Sequence, residues 1–159
     1  MADPGWLRGR RLGVDVGKVR VGVALSDPDG ILATPLVTVP RDTSEPPEDD
    51  PTWVPADVAE LVRLAAEHEV VGVVVGLPVT LAGTESYAAI YVREYVQVLA
   101  RAIAPLPVQL TDERMSTALA TRRLSERGVR GGRRRAVVDQ AAAVEILQGW
   151  LDGARRRHA

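Results

Sequence analysis

The sequence predicts one α/β domain built on a five-stranded mixed sheet, and three observations carry that expectation. Three short apolar segments linked by turn signals stand close together between residues 12 and 39. After them, helix-period and strand-period segments take turns along the chain. One of these, Val70-Val71-Gly72-Val73-Val74-Val75, is apolar without alternation, as expected of a central strand covered on both faces. The element order is β-β-β-α-β-α-β-α-α. It implies an antiparallel three-strand meander joined to two parallel strands, with helices on the faces.

Each element has its own signature. Leu12, Val14 and Val16 alternate with Gly13, Asp15 and Gly17 in the first strand; Val21, Val23 and Leu25 alternate with small or polar residues in the second. Gly17-Lys18-Val19 joins them as a hairpin, which makes them antiparallel. The third strand runs from Ile31 to Val39, entered through Asp27-Pro28-Asp29-Gly30. Residues 41–55 hold Pro46, Pro47, Pro51 and Pro55 with five acids, a composition that builds no core and predicts a flexible loop, with Trp53 able to pin it. Apolar residues at helical spacing predict helices over 56–69 and 84–103, the second ended by Pro105 and Pro107. Val108 to Thr111 is a short strand, and two last helices are expected over 116–126 and about 134–152, separated by the glycines at 128, 131 and 132. The expected organisation is a flexible N-terminus over 1–10, one domain over 11–153 and a basic tail over 154–159.

Composition narrows the function. The absence of cysteine excludes disulfides and thiolate metal sites and suits the cytoplasm. No apolar stretch approaches the roughly 20 residues of a membrane span, so no membrane role is expected. The net charge of −1 conceals an asymmetry, because residues 1–100 carry 8 basic and 15 acidic side chains whereas residues 101–159 carry 12 and 6. Seven of those arginines fall between Arg122 and Arg135, a candidate phosphate-contact surface or else a solvated helix face.

Three carboxylates stand out. Asp15 interrupts an apolar strand and shares a face with Gly13 and Gly17, opposite Gly22 and Ala24. A charge buried there requires compensation. The cleared surface suits a metal ion with a phosphate, or alternatively a helix packed on the glycines with Asp15 paired to Arg20 or Lys18. Glu113 follows the short strand at its carboxyl end, where ligands collect in such sheets. Its neighbour Asp112 is a secondary candidate that serves equally well to cap a helix or anchor Arg114. Asp139 leads a helical stripe continued by Ala143, Ile146 and Trp150, so it looks back at the sheet unless it is only a first-turn acid. Converging carboxylates repel unless cations lie between them, and Mg²⁺ or Mn²⁺ prefer such oxygen ligands. Two ions activate a water and stabilise a leaving oxygen in phosphodiester cleavage. His68 and His158 read as surface residues.

The chain resembles the YqgF family, also called RuvX, of Holliday junction resolvases and pre-16S rRNA nucleases. The resemblance rests on Leu12-Gly-Val-Asp-Val-Gly-Lys-Val-Arg-Val-Gly-Val-Ala-Leu-Ser-Asp27, Val75-Gly-Leu-Pro78 with Gly83, Asp112-Glu-Arg-Met-Ser-Thr117 and Val138-Asp-Gln-Ala-Ala-Ala-Val-Glu-Ile-Leu-Gln148, in family order over residues 11–152. It implies a ribonuclease-H-like fold, a catalytic and metal-binding triad of Asp15, Glu113 and Asp139, and nucleic acid as the partner, either a ribosomal RNA precursor or branched DNA. Arg20, Ser26, Thr84, Ser86, Arg114, Ser116 and Thr117, in or beside the motifs, become candidate nucleic-acid contacts. Arg130, Arg133, Arg134 and Arg135 match the family's basic run and form a candidate arm closing on phosphates. Thr80, Ala82 and the stretch Tyr87-Ala88-Ala89 depart from the usual pattern after Gly-Leu-Pro, and the loop over 41–55 is longer than usual.

Other classes compete. An Asp-x-Gly hairpin followed by Arg and Gly also occurs in the sugar kinase, chaperone and actin ATPase superfamily, but those proteins need two such domains; ATP binding in a titration would favour them. A non-catalytic assembly factor for ribosome maturation keeps the same fold and partner. Junction resolution would favour a two-fold homodimer. Only six aromatic side chains are present, which favours recognition by backbone shape and charge over base stacking.

Overall fold

A computed structural model describes residues 7–79, 82, 86–112 and 132–158, with side-chain detail in the last segment from residue 140 onward. Five strands form one sheet: β1 (Arg11–Val16), β2 (Arg20–Ser26), β3 (Ala33–Pro40), β4 (Gly72–Leu77) and β5 (Val108–Asp112). Their order is β3-β2-β1-β4-β5, with β1–β2 and β2–β3 antiparallel and β1–β4 and β4–β5 parallel. The expected mixed sheet is present, with β1 in its centre. Three described helices cover it: α1 (Ala56–Glu67), α2 (Tyr87–Ile103) and α3 (Gly132–Arg157).

Strand parity assigns the layers. Leu12, Val14 and Val16 of β1 join Val73, Val75 and Leu77 of β4 in one core with α1 and α2. Ala24, Ala33 and Val74 face the other way and pack with Ala143, Ile146, Leu147, Trp150, Leu151 and Ala154 of α3. Pro35 and Pro40 are tolerated in β3 because it is an edge strand.

The ends of α1 show why boundaries moved. Its first turn is capped from a distance, because Asp42 accepts the Ala56 N–H at 2.8 Å and the Ser44 N–H at 2.9 Å. At the other end His68 caps, Glu69 turns left-handed (φ 51°), and the Val70 N–H reaches Ala65 O while the Glu69 N–H reaches Ala66 O. This closure consumes Val70, which is buried in the same core cluster as Leu64. The strand therefore starts at Gly72 and continues to Leu77, two residues later than the apolar run suggests. The α2 helix begins at Tyr87, later than the expected 84; β3 starts at Ala33, not Ile31; β5 includes Asp112.

The segment before β1 and the end of α3 make contacts of their own. Arg10 O accepts the Val71 N–H at 2.8 Å, and Arg8 pairs with Asp29, so residues 7–10 are fastened to the sheet. The α3 helix runs on through Arg157, because Ala154 is fully buried and Arg155 donates to Gly30 O and Ile31 O. The acidic loop is likewise tied at its start by Arg41 and Asp42, and Trp53 is half-buried. The expected helix over 116–126 lies outside the described residues.

The Asp42 cap carries a pH signature. Its hydrogen bonds, led by the Ala56 N–H, hold its carboxyl down at about 2, below an ordinary value of 3.8. A depressed folded-state value stabilises the fold above about pH 4, and that contribution disappears as pH falls towards 2. Asp42→Ala is therefore expected to lower Tm at pH 7 and to lose its deficit relative to wild type by pH 2, as thermal melts across that range will show. A deficit independent of pH would mean that Asp42 acts through packing instead.

Candidate active site

The register builds the site around Asp15. Asp15 pairs with Gly22 of β2, and Gly22 pairs with Thr38 of β3. On the other side, Val14 pairs with Val75, which puts Asp15 level with Gly76, and Gly76 pairs with Thr111 of β5. One row thus reads Thr38, Gly22, Asp15, Gly76, Thr111 across all five strands. It lies near the carboxyl ends of the parallel pair β1 and β4, where ligands gather in sheets of this kind. Asp15 is 3% exposed, and among the described residues on its row it is the only one that carries a charge.

The α3 helix covers the same face and runs back along β1. Arg11, at the start of β1, lies under the Trp150 ring at 4.9 Å. A Cβ on Gly13 would meet Leu147 Cβ at 2.5 Å and Ala143 O at 2.9 Å; one on Gly76 would meet Ile146 Cδ1 at 2.5 Å. Two glutamines set the helix register against the edge strand. Gln148 Oε1 accepts the Ala33 N–H at 2.9 Å and its Nε2 donates to Ile31 O at 2.8 Å; Gln140 Nε2 donates to Thr38 Oγ1 at 2.9 Å. Thr38 belongs to the Asp15 row, so the turn of α3 at Gln140 stands over that row. Asp139 is the residue before Gln140 and one turn before Ala143 in α3. Its backbone position is within this turn, and its side chain lies outside the described detail.

The other candidates divide clearly. Glu113, Thr84, Arg114, Ser116, Thr117 and Arg130 lie outside the described residues, and Arg133, Arg134 and Arg135 are described only as backbone in the first turns of α3. Asp112 ends β5 paired with Leu77, a residue of the α1–α2 core, so it occupies the face opposite Asp15 and is exposed. Ser86 is the N-cap residue of α2, without a side-chain cap bond. Arg20 opens β2 beside the hairpin and is half-buried. Ser26 is 2% exposed, and its hydroxyl accepts the Arg11 N–H at 2.8 Å. It sits at the end of β2 remote from Asp15. Over Gly13 the alternative of a helix packed on the glycines is the one present, since α3 fills that surface. No group of three or more metal-ligating side chains occurs among the described residues, a set that lacks the side chains of Glu113 and Asp139.

Sequence reading missed the polar cluster on the opposite face. Asp57 in α1 is buried and stands 3.0 Å from Arg41 Nε, and it accepts the Tyr95 hydroxyl at 3.0 Å. Burial, then the Asp57 charge, push the Tyr95 hydroxyl above its ordinary range, so it stays a proton donor. The signal was available: Asp57 leads the apolar stripe Leu61, Leu64, Ala65 as Asp139 leads its own.

A family model described as "RuvX: Holliday junction resolvase" matches residues 9–153. The chain belongs to the RuvX family. Its similarity to curated relatives is extensive: 51% identity over 150 residues to a Rhodococcus erythropolis protein, covering 94% of this chain and 80% of that one. A Mycolicibacterium smegmatis protein is 54% identical over 153 residues, covering 96% and 85%. Both bear the name "Putative pre-16S rRNA nuclease". Among solved structures, T. thermophilus RuvC in complex with Holliday junction substrate aligns over 92% of this chain and 96% of its own, with a TM-score of 0.51 and 16% identity. At that identity the likeness establishes the fold, which is ribonuclease-H-like. No described helix of this RuvX family member is long and apolar enough to cross a membrane.

Proposed function

We propose that this chain is a divalent-metal-dependent nuclease that hydrolyses phosphodiester bonds in the precursor of 16S rRNA, acting in the cytoplasm. The observation that carries the reading is Asp15, a carboxylate 3% exposed at the centre of the sheet, with the Asp139 turn of α3 held over its row by Gln140. Asp15 has glycines on both flanking strands and lies near the carboxyl ends of β1 and β4, where ligands gather in sheets of this kind. RNA is favoured over branched DNA because the relatives that share half of the residues are named for it.

The donors suit hard cations. Asp15, Glu113 and Asp139 offer only carboxylate oxygen, and the two histidines sit elsewhere, His68 at the end of α1 and His158 at the end of α3. These three residues would hold Mg²⁺ or Mn²⁺, and two such ions would supply an activated water and charge neutralisation for the leaving oxygen. The protein's own part is to fix Asp15 on a rigid central strand and to carry Asp139 on a helix seated on the same face of the sheet.

The test is one assay in which wild type meets a precursor-like RNA and a four-way DNA junction, with Mg²⁺, with Mn²⁺ and with chelator. Metal-dependent cutting of the RNA is expected. Cutting of the junction alone would move the substrate to branched DNA, and cutting of neither would favour an assembly factor that only binds. The arginine arm adds a binding measurement. Replacing Arg133, Arg134 and Arg135 with serine is expected to flatten the slope of log affinity against log salt by about 2, because each single-strand phosphate that an arginine neutralises adds ~0.7 to that slope. An unchanged slope removes those arginines from the interface.

A further inference from the structure

We propose that Arg41 is a positioning residue: with Asp57, Tyr91 and Tyr95 it forms a buried strut that fixes the β1–β2 turn and so the placement of Asp15. The inference rests on the nuclease reading for its consequence, though not for the strut itself. Arg41 follows directly on β3 and takes hold of both sides of the turn. Its backbone N–H donates to Val19 O at 2.9 Å, and its Nη1 donates to Gly17 O at 2.9 Å. The two carbonyls flank Lys18, the exposed tip of the hairpin.

The guanidinium is itself anchored to two helices. It lies 5.0 Å from the Tyr91 ring centroid and 4.8 Å from that of Tyr95, both on α2. Its Nε stands 3.0 Å from Asp57 Oδ2 on α1, with the N–H aimed too far aside to make a hydrogen bond, so the attraction there is between charges. Asp57 is fully buried and completes its shell with the Tyr95 hydroxyl at 3.0 Å and the Asp42 N–H at 3.4 Å. The surrounding layer is Val, Leu and Ala. A buried ion pair rarely stabilises a fold more than apolar residues of equal volume would. What this one adds is direction, since a planar fork reaches one carbonyl from one angle.

There is no slack between the turn and Asp15. Gly17 is two residues further on, its N–H is bonded to Arg20 O at 2.9 Å, and a Cβ there would lie 2.6 Å from that oxygen. A turn released from Arg41 therefore shifts Asp15 along its strand, and displacements of about 1 Å at a reacting centre cost ~10²-fold in rate.

Arg41→Lys tests this, because it keeps the charge beside Asp57 while one ammonium replaces the fork. Two readings are compared with Leu61→Ala, a core truncation of α1 with an equal or larger loss of Tm. In Arg41→Lys the Gly17 amide is expected to exchange with solvent at least about tenfold faster through local opening, whereas Leu61→Ala leaves its protection relative to the global fold unchanged. RNA cleavage in Arg41→Lys is expected to lose at least about tenfold in kcat with KM held within about twofold, as a displaced carboxylate requires, and Leu61→Ala is expected to retain wild-type kcat at 25 °C. Unchanged exchange at Gly17, or an equal kcat loss in Leu61→Ala, overturns the proposal. A wild type that cuts neither RNA nor junction sinks the nuclease reading instead, and the exchange comparison still decides whether Arg41 holds the turn.

Discussion

Asp15→Asn is expected to lower the single-turnover rate of RNA cleavage by about 10³-fold or more, equivalent to ~4 kcal/mol of lost transition-state stabilisation, with Tm within a few degrees of wild type. The amide has nearly the shape of the carboxylate, so the packing of β1 against Gly22, Gly76 and α3 survives. What disappears is the negative charge at the one buried acid of the row. If that charge holds a metal ion, its loss removes both the activated water and the neutralisation of the leaving oxygen. Raising Mn²⁺ is expected to recover part of the rate, because an amide oxygen remains a weak ligand. Cleavage within about tenfold of wild type, at equal metal, would place the chemistry elsewhere. A collapse of Tm together with rate would instead make Asp15 a structural acid, and the comparison of the two readouts separates these outcomes.

Much of this arrangement was legible in the residues because Asp15 violates its surroundings. An acid inside an apolar alternation is costly, and the strand parity that isolates it also names its neighbours, Gly22 and Gly13, as the register confirms. The sheet was legible for the same reason, since period-2 segments with turn residues between them leave few ways to pair. Two kinds of feature escaped. Boundaries set by hydrogen bonds rather than hydrophobicity moved, as where the α1 closure takes Val70 out of the strand. Long-range polar partnerships escaped as well. Nothing in the local sequence announces that Arg41 reaches Gly17 and Asp57, or that Gln140 reaches Thr38 across 102 positions. The hydroxyl of Ser26 accepting the Arg11 N–H is another such partnership, at the end of β2 far from Asp15.

The largest stability effect is expected from a single methyl group. Gly13→Ala is expected to destabilise the protein by about 3 kcal/mol, within the range of overpacked cores, and to lower Tm by ~6–12 °C for a chain of this size. The new Cβ would lie 2.5 Å from Leu147 Cβ and 2.9 Å from Ala143 O. A Cβ and a helix carbonyl are both fixed to the helix backbone and yield only if the helix moves, so α3 must lift from β1. Gly149→Ala provides the contrast on the same helix. Gly149 is exposed, and a Cβ there meets nothing within 4 Å. Alanine should therefore only favour the helix and raise stability by about 0.5–1 kcal/mol. Combining the two separates helix propensity from helix seating. Gly149→Ala is expected to restore some of the Tm lost in Gly13→Ala and none of the lost cleavage, because the Asp139 turn stays displaced from the Asp15 row. A double variant that regains activity along with Tm would show that α3 matters to this protein only as ballast for the sheet. Circular dichroism melts and single-turnover cleavage on the four proteins decide it.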